Sequence, residues 1–363
     1  MKRLFIDILP YEYGKSFGYQ EYICNLLDYF YAHDSDILFD QIIIVCLDSQ
    51  CKYFSKYSER IFIKTYACKS ILKRMFIQTL LPLYLGVRKH DIIVYTANYS
   101  SLIKRCRHIL VVHDLLFKRK SLFPYPLMRF QRTLYLPISL KLADKVIAIS
   151  EFTAADIEHF YPESKEKTFV IYNFFNFDKF SLINQSVSKE KVFVTVCSTA
   201  YHKNTQTVIK AFKEYCLKGG SYDLILVGSL KTHTFLYDQF ELLDASIKSR
   251  IHLYDKVSNI KLAELYQKSQ AYISASLFEG LGMPIVEAMY FDLPIIISDY
   301  PIFREVSQNR GIYFDPLNSD ELAGIMMSIE INQPTFSYSD SVKEIYSAEQ
   351  TSKKYIQLIN SFA

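Results

Sequence analysis

Two carboxylates on either side of a glycine-rich turn are the residues in this chain best placed to do chemistry. The segment Ser276-Leu-Phe-Glu-Gly-Leu-Gly-Met-Pro-Ile-Val-Glu-Ala-Met289 sets Glu279 before, and Glu287 after, the turn Gly280-Leu281-Gly282-Met283-Pro284. Pro284 suits the first position of a helix, where its missing N–H costs nothing. Gly280 and Gly282 allow backbone amides to approach a ligand closely. The unpaired amides at the start of that helix favour an anion such as pyrophosphate. Glu287, in the first turns of the helix, can accept hydrogen bonds from a ribose diol. Glu279, in the loop before it, can face a sugar lying beyond the phosphates. Carboxylate, amide cradle, carboxylate is the order of groups that a nucleotide-sugar requires. The plainer alternative is a strand–turn–helix whose glutamate favours the helix dipole.

A lysine stands in a comparable place. Val192-Phe-Val-Thr-Val-Cys197 has the pattern of a strand, and Ser-Thr-Ala-Tyr-His-Lys-Asn204 follows it into a helix. A loop after the first strand of an open α/β sheet lies at the carboxyl edge, where ligands bind. Lys203 there can stabilise charge growing on a departing nucleotide diphosphate. In the first half, the strand 108–112 ends at His113-Asp114. His113 can donate to a sugar hydroxyl, or it is structural, with Asp114 capping the next turn.

These residues need a scaffold, and the pattern supplies one. Strands and helices alternate throughout, which predicts parallel sheets with helices on both faces. Strands are expected at 3–8, 41–47, 60–65, 91–96, 108–112, 145–149 and 168–172, with helices at 17–32, 69–86, 125–142 and 151–160. Ser150 is the expected cap of the last of these. The pattern then restarts. Strands are expected at 192–198, 223–228, 251–254, 271–275 and 294–298, and helices at 204–217, 233–247, 259–268, 284–291 and 319–331. The polar, aperiodic stretch 173–191 is the expected linker, and a last helix is expected from Ala348 to Phe362.

Length and composition fit this plan. A chain of 363 residues suggests two domains. Half of it is hydrophobic and 22% is charged, an ordinary globular profile. Seven cysteines without a Cys-x-x-Cys pair argue against a disulfide framework and a zinc site, and suit a reducing cytoplasm. The start, Met1-Lys-Arg-Leu-Phe-Ile-Asp7, does not have the form of a secretory signal. Charge is uneven: Arg60 to Pro137 holds 15 basic residues and two acids, Asp91 and Asp114. Basic residues alternate with aromatics in Phe117-Lys-Arg-Lys-Ser-Leu-Phe-Pro-Tyr125. Such a patch suits nucleic acid, an anionic membrane surface, or solvent alone. The membrane reading puts Phe117, Phe123 and Tyr125 among headgroups, with Lys118, Arg119 and Lys120 on anionic lipid. Asp34-Ser-Asp36 has the spelling of a divalent-metal motif, but it follows a helix in a polar loop.

The paired glutamates and their turn resemble the motif of retaining glycosyltransferases of group 1, or family 4. His202-Lys203-Asn204 is similar to a loop of that family, although Cys197 and Ser198 stand where it often has an arginine. His113-Asp114 resembles its His-Asp at the edge of an interdomain cleft. Gly14-Lys-Ser-Phe-Gly18 resembles its glycine loop without the usual Gly-Gly pair. Ala143 to Glu151, Ile171-Tyr-Asn173, Leu224 to Gly228 and Glu264-Leu-Tyr266 also match, and Asp292 replaces a usual glycine.

The resemblance implies an α/β fold of two Rossmann-like domains facing a cleft, the GT-B architecture. Residues 1–175 would form the acceptor-side domain and 176–345 the nucleotide-sugar-binding domain, with 346–363 crossing back to the first. It implies a retaining, metal-independent hexosyl- or related transferase with Glu279, His113 and Lys203 catalytic. Gly18, Gly280, Leu281, Gly282, Met283 and Glu287 would bind the donor, with no cofactor. The acceptor would be a glycan, by expectation lipid-linked, in bacterial O-antigen or capsule assembly. The expected location is the inner face of the cell membrane, peripherally and on the cytoplasmic side. No nucleic acid is expected as a partner. A nucleotide-sugar epimerase of similar architecture and a nucleic-acid-binding protein are the rival readings.

Overall fold

The structure, a computed structural model, describes all residues except 13–16, 69, 181–187, 198–199, 229–236, 238–239, 256 and 363. The chain forms two compact units, Met1–Asn176 with Tyr346–Ala363, and Phe177–Ile345.

The first unit is built on seven strands: β1 Arg3–Asp7, β2 Gln41–Leu47, β3 Phe62–Tyr66, β4 Ile92–Tyr95, β5 Arg107–Val112, β6 Lys145–Ala148 and β7 Thr168–Val170. Their order is β3-β2-β1-β4-β5-β6-β7, with parallel pairing throughout. Runs such as Ile42-Ile-Ile-Val45 are buried because helices cover both faces of the sheet. Order reverses between β1 and β4, so the loops after them diverge and leave a crevice at the carboxyl edge.

The second unit repeats the plan with β8 Val192–Val196, β9 Asp223–Val227, β10 Ile251–Tyr254, β11 Ala271–Ser274, β12 Ile295–Ser298 and β13 Ile312–Phe314. The order is β10-β9-β8-β11-β12-β13, again all parallel. Its switch point lies between β8 and β11. Phe193, Leu224, Leu226, Ile273 and Ile296 join Val208, Phe212 and Met326 in one core.

Several elements differ from expectation. The helix expected over 69–86 is two helices, Ile71–Thr79 and Leu81–Leu85. Pro82 has no amide hydrogen to continue the ladder, and Gly86, at φ 59°, ends the second piece. Of the helix expected over 233–247, residues 233–236 and 238–239 lie outside the described residues; a separate short helix, Ala245–Lys248, begins after Asp244. The short strand β13 and the helices Pro301–Val306 and Ser339–Tyr346 were not anticipated. Asp292 takes the left-handed conformation, φ 52°, that glycine would otherwise supply. Its carboxylate accepts from the amides of Tyr338 and Ser339, at 2.5 and 2.8 Å, at the start of the helix Ser339–Tyr346.

The last helix, Ala348–Asn360, packs within the first unit. The Tyr355 hydroxyl bonds that of buried Tyr22. Asn360 accepts from the Leu38 amide at 3.0 Å and donates to the Asp36 carbonyl at 2.8 Å. Asp34–Asp36 forms a single 3₁₀ turn, with Asp34 paired to Arg60 at 3.3 Å.

The interfacial role expected for 117–125 meets a different arrangement. Phe117 and Phe123 are 1% and 8% exposed, beneath the surface rather than on it. Arg119 pairs with Asp156 at 2.6 Å, and the Lys118 ammonium lies over the rings of Phe117, Phe160 and Tyr161. Alternating aromatic and basic residues here fold a loop onto the helix Glu151–Phe160. Of the three rings only Tyr125 is exposed.

Candidate active site

In the second unit the loops following β8 and β11 meet at the switch point. The Leu277 amide donates to the His202 carbonyl at 2.7 Å. Asn204, buried and left-handed at φ 50°, heads the helix Thr205–Leu217. Asparagine tolerates this conformation better than most residues. Its side-chain amide donates to the carbonyls of Ala275 (3.1 Å) and Pro316 (2.8 Å), and its Oδ1 accepts from the Thr207 hydroxyl at 3.0 Å. One residue thereby fixes three loops around Lys203. Gly228 permits a close approach behind them: a Cβ there would sit 2.1 Å from the Cys197 carbonyl oxygen.

The Lys203 ammonium reaches Glu279 Oε1 at 2.5 Å, bridging 76 positions of sequence. Both groups are partly exposed. Gly282, at φ 88°, heads the helix Met283–Tyr290, in which Pro284 fills an early position and leaves no hydrogen bond broken. Leu281 is buried and anchors the turn; Gly280 and Met283 flank it. Glu287, in the same helix, is buried and has both oxygens engaged: Lys179 Nζ lies 2.9 Å from Oε1, and the Tyr266 hydroxyl 3.1 Å from Oε2. A carboxylate offers about four acceptor positions, so a diol still finds free lone pairs there. Burial holds the Tyr272 phenol far above its ordinary range, and Glu279 and Glu287 push the same way.

Lys179 is the residue that sequence reasoning missed. It lies in the stretch taken as an aperiodic linker, within the turn Phe177–Phe180. Phe177 stacks on Tyr290 at 4.7 Å, and Phe180 packs on Tyr290 and Phe291. Two phenylalanines three apart in a polar stretch were the available signal of an anchored turn.

In the first unit His113 follows β5. Its backbone amide donates to Asn98 Oδ1 at 2.7 Å, and its Nε2 lies 2.8 Å from the Thr96 carbonyl. A carbonyl only accepts, so Nε2 carries the hydrogen and, in the neutral ring, Nδ1 keeps its lone pair. Burial lowers the ring's pKa against the opposing pull of Thr96, which favours that neutral form. Tyr19 and Tyr22 meet the ring edge-on, with centroids 5.2 and 5.0 Å away. Asp114 Oδ1 accepts from the Leu116 amide at 2.9 Å, the capping role. Gly18 is the second residue of the helix Phe17–Ala32; 14–16 lie outside the described residues.

A buried polar group sits at this switch point too. Asp7, at the end of β1, accepts from the Leu9 amide and from Gln78 Nε2, each at 3.0 Å. Its backbone carbonyl accepts from the Thr96 hydroxyl at 2.6 Å. Burial raises its carboxyl to about 7, against both side-chain hydrogen bonds. Sequence gave no sign of this group. Among the described residues no three His, Cys, Asp or Glu side chains gather as a metal site would require.

Two doubly wound parallel units, one with a lysine–glutamate pair and a glycine-headed helix at its switch point, define an α/β protein of the two-Rossmann class. Comparison with known proteins narrows the class. The model for Glycosyl transferases group 1 matches residues 176–346, and that for Glycosyltransferase Family 4 matches residues 40–179. The chain belongs to this family, the group 1 or family 4 glycosyltransferases, and has its GT-B fold. It is 31% identical to the O-antigen chain mannosyltransferase RfbU of Salmonella typhimurium over 224 residues, 61% of this chain and 60% of that one. It is 26% identical to the serotype-specific mannosyltransferase WbdA of Escherichia coli over 222 residues, 56% of this chain and 27% of that one. The chain thus spans less than two thirds of the length of these relatives. The crystal structure of Anabaena HepE in complex with UDP and glucose superposes with a TM-score of 0.72 at 15% identity, covering 99% of this chain and all of that one.

Proposed function

We propose that this protein is a retaining glycosyltransferase that moves a sugar, with mannose the first candidate, from a nucleoside-diphosphate sugar to a hydroxyl of a lipid-linked glycan. The product belongs to bacterial surface polysaccharide, O-antigen above all. The observation that carries the reading is the gathering of Lys203, Glu279 and Glu287 around one helix start at the switch point of the second unit. The names of RfbU and WbdA support the sugar and the polymer.

In this reading the helix amides and Lys203 hold the pyrophosphate. Their positive ends are fixed before reaction and become worth more as charge grows on the leaving group. Glu287 holds the ribose. Glu279 accepts from hydroxyls of the transferring sugar; His113, whose Nε2–H is held by Thr96, keeps only its Nδ1 lone pair to accept from a sugar hydroxyl. The leaving phosphate takes the proton of the incoming hydroxyl on the face it departs from, which retains configuration. Lysine and amides do the work that a divalent cation does elsewhere, so no metal enters. The proposed place of action is the cytoplasmic face of the cell membrane, reached peripherally; among the described residues no helix is long and apolar enough to cross a bilayer.

The test is direct. The protein is incubated with a panel of nucleoside-diphosphate sugars and a polyprenyl-pyrophosphate oligosaccharide acceptor, and products are followed by mass spectrometry and anomeric NMR. One donor is expected to extend the acceptor with its anomeric configuration kept. Inversion removes the retaining assignment. Epimerised or hydrolysed sugar without extension, across the panel, overturns the transferase reading.

A further inference from the structure

We propose that the outer face of the helix Pro126–Leu142 is a docking surface for an anionic lipid bilayer. The side chains of this helix are distributed against the usual rule. An amphipathic helix on a globular protein turns its apolar stripe inward and its polar face to water. Here Leu136, Ser139 and Leu140 face inward. Leu127, Phe130, Leu134 and Ile138 face outward, 80%, 63%, 49% and 43% exposed. Their spacing of three, four and four residues puts all four on one stripe of the helix. Exposed apolar residues scattered singly need no explanation, but a contiguous stripe of them marks an interaction surface.

The stripe continues onto the neighbouring helix Ile71–Thr79. Gln131 donates to the Met75 sulfur at 3.5 Å, so the two helices touch. Phe76, next to Met75, is 58% exposed. The exposed Lys73 stands one turn before Phe76, and the exposed Lys141 lies three residues after Ile138. The helix Pro126–Leu142 itself carries Arg129, Arg132 and Lys141 and no acid. The only acids between Arg60 and Pro137 are Asp91, fully buried, and Asp114, occupied as a cap. An apolar stripe framed by cations, on a segment that contributes no exposed carboxylate and beside a Glu12 already held by Arg74 at 2.6 Å, matches a bilayer, with acyl chains for the rings and leucines and anionic headgroups for the lysines. The surface therefore uses the stripe of this helix in place of the loop 117–125, whose phenylalanines are buried.

The inference rests on the reading of the acceptor as lipid-linked, and the two fail separately. The test is co-sedimentation of the full chain with large vesicles of phosphatidylcholine alone or mixed with phosphatidylglycerol, at low and raised salt. Binding to the anionic vesicles that weakens with salt is expected. Exchanging both Phe130 and Leu134 for Ser should lower that partitioning by about tenfold or more, because interfacial affinity scales with the apolar area inserted. The single variant Leu127→Ser, at the most exposed position, should lower it less and provides the answer if the double variant melts abnormally. Transfer to a water-soluble glycan acceptor should be unchanged in all of them. Vesicle binding equal to wild type in these variants, or no binding by wild type, overturns the docking surface and leaves the transferase reading intact. A concentration-dependent dimer that Phe130→Ser dissociates also overturns it, since the stripe is then a subunit interface. Normal vesicle binding without extension of a lipid-linked acceptor leaves the surface standing and removes the acceptor assignment.

Discussion

Replacing Asp7 by Asn should change how the stability of the first unit depends on pH. Asp7 is wholly buried, and its carboxyl is raised from about 3.8 to about 7. The folded state therefore holds a proton that the unfolded chain has released. The favourable contribution of that proton is complete below about pH 4 and is lost as pH rises through about 7. A shift of about three units is worth roughly 4 kcal/mol, and the slope between pH 5 and 7 is about −1.4 kcal/mol per unit. His108 works in the opposite sense. It is buried between strands, its ring nitrogens have no hydrogen-bond partner, and burial lowers it to about 4. Its neutral folded form adds stability as pH rises from about 4 to 6.5, by roughly 3 kcal/mol. In the wild type these two groups nearly cancel over that window. Asp7→Asn removes only the falling part.

The variant should thus gain on the wild type by about 1.4 kcal/mol for each pH unit between 5 and 7, and by nothing further above about 8. Its absolute stability shifts by a constant, because Gln78 must turn its amide to meet the new one. The slope is free of that constant. Since the chain has two compact units, a single unfolding midpoint mixes them. Amide hydrogen exchange on peptides covering β1 and β4, corrected for intrinsic rates, isolates the first unit. Parallel pH profiles for Asp7→Asn and wild type would show that Asp7 ionises normally and would refute the reasoning.

Other outcomes follow from the second unit. Glu287→Ala should weaken binding of the nucleoside diphosphate by about 1.5–3 kcal/mol, read by titration calorimetry. It should also lower the melting temperature, because Lys179 is left partly buried without its carboxylate; Glu287→Gln should spare the melt more than the affinity. Undiminished affinity in both variants removes Glu287 from the site. Lys203→Ala should lower kcat more than it raises KM, as a contact that strengthens with leaving-group charge must. Full activity in that variant ends its proposed role. Activity should survive a strong chelator, and its loss with rescue by magnesium or manganese would contradict the metal-free reaction.

How much of this could be read in the sequence depended on distance along the chain. The helix start at Met283–Tyr290 was legible because its turn, its proline and both glutamates are local. The loops of Lys203 and Glu279 were both legible as lying at the carboxyl edge, but their direct pairing was not, because it joins side chains 76 positions apart. Asp7 was not legible. An aspartate ending a strand looks ordinary, and its partner Gln78 lies 71 positions away. Lys179 was missed because one anchored turn has no periodicity to detect. The basic segment was misread for a different reason. Rings alternating with lysines look interfacial, yet burial of Phe117 and Phe123 is decided by the helix they pack against, which no local pattern reveals. The stripe Leu127, Phe130, Leu134, Ile138 was visible all along, but periodicity does not say which face of a helix turns inward.

The ion pairs of the second unit bear on the order of events in the proposed reaction. Lys203 holds Glu279, and Lys179 holds Glu287. A binding site of net charge near zero does not repel a dianionic pyrophosphate as bare carboxylates would. The two pairs differ in depth. Lys179 and Glu287 are the more enclosed, and Tyr266 supports the carboxylate. A buried pair is costly to separate, so Glu287 should keep its lysine and receive the ribose on its remaining lone pairs. Lys203 and Glu279 are more exposed, and water screens their attraction. Their pair is the cheaper one to exchange. Moving Lys203 from Glu279 to the pyrophosphate frees Glu279 for the sugar hydroxyls in the same step. One half of the site would then be rigid and hold the nucleoside, while the other half would switch partners only when the diphosphate arrives.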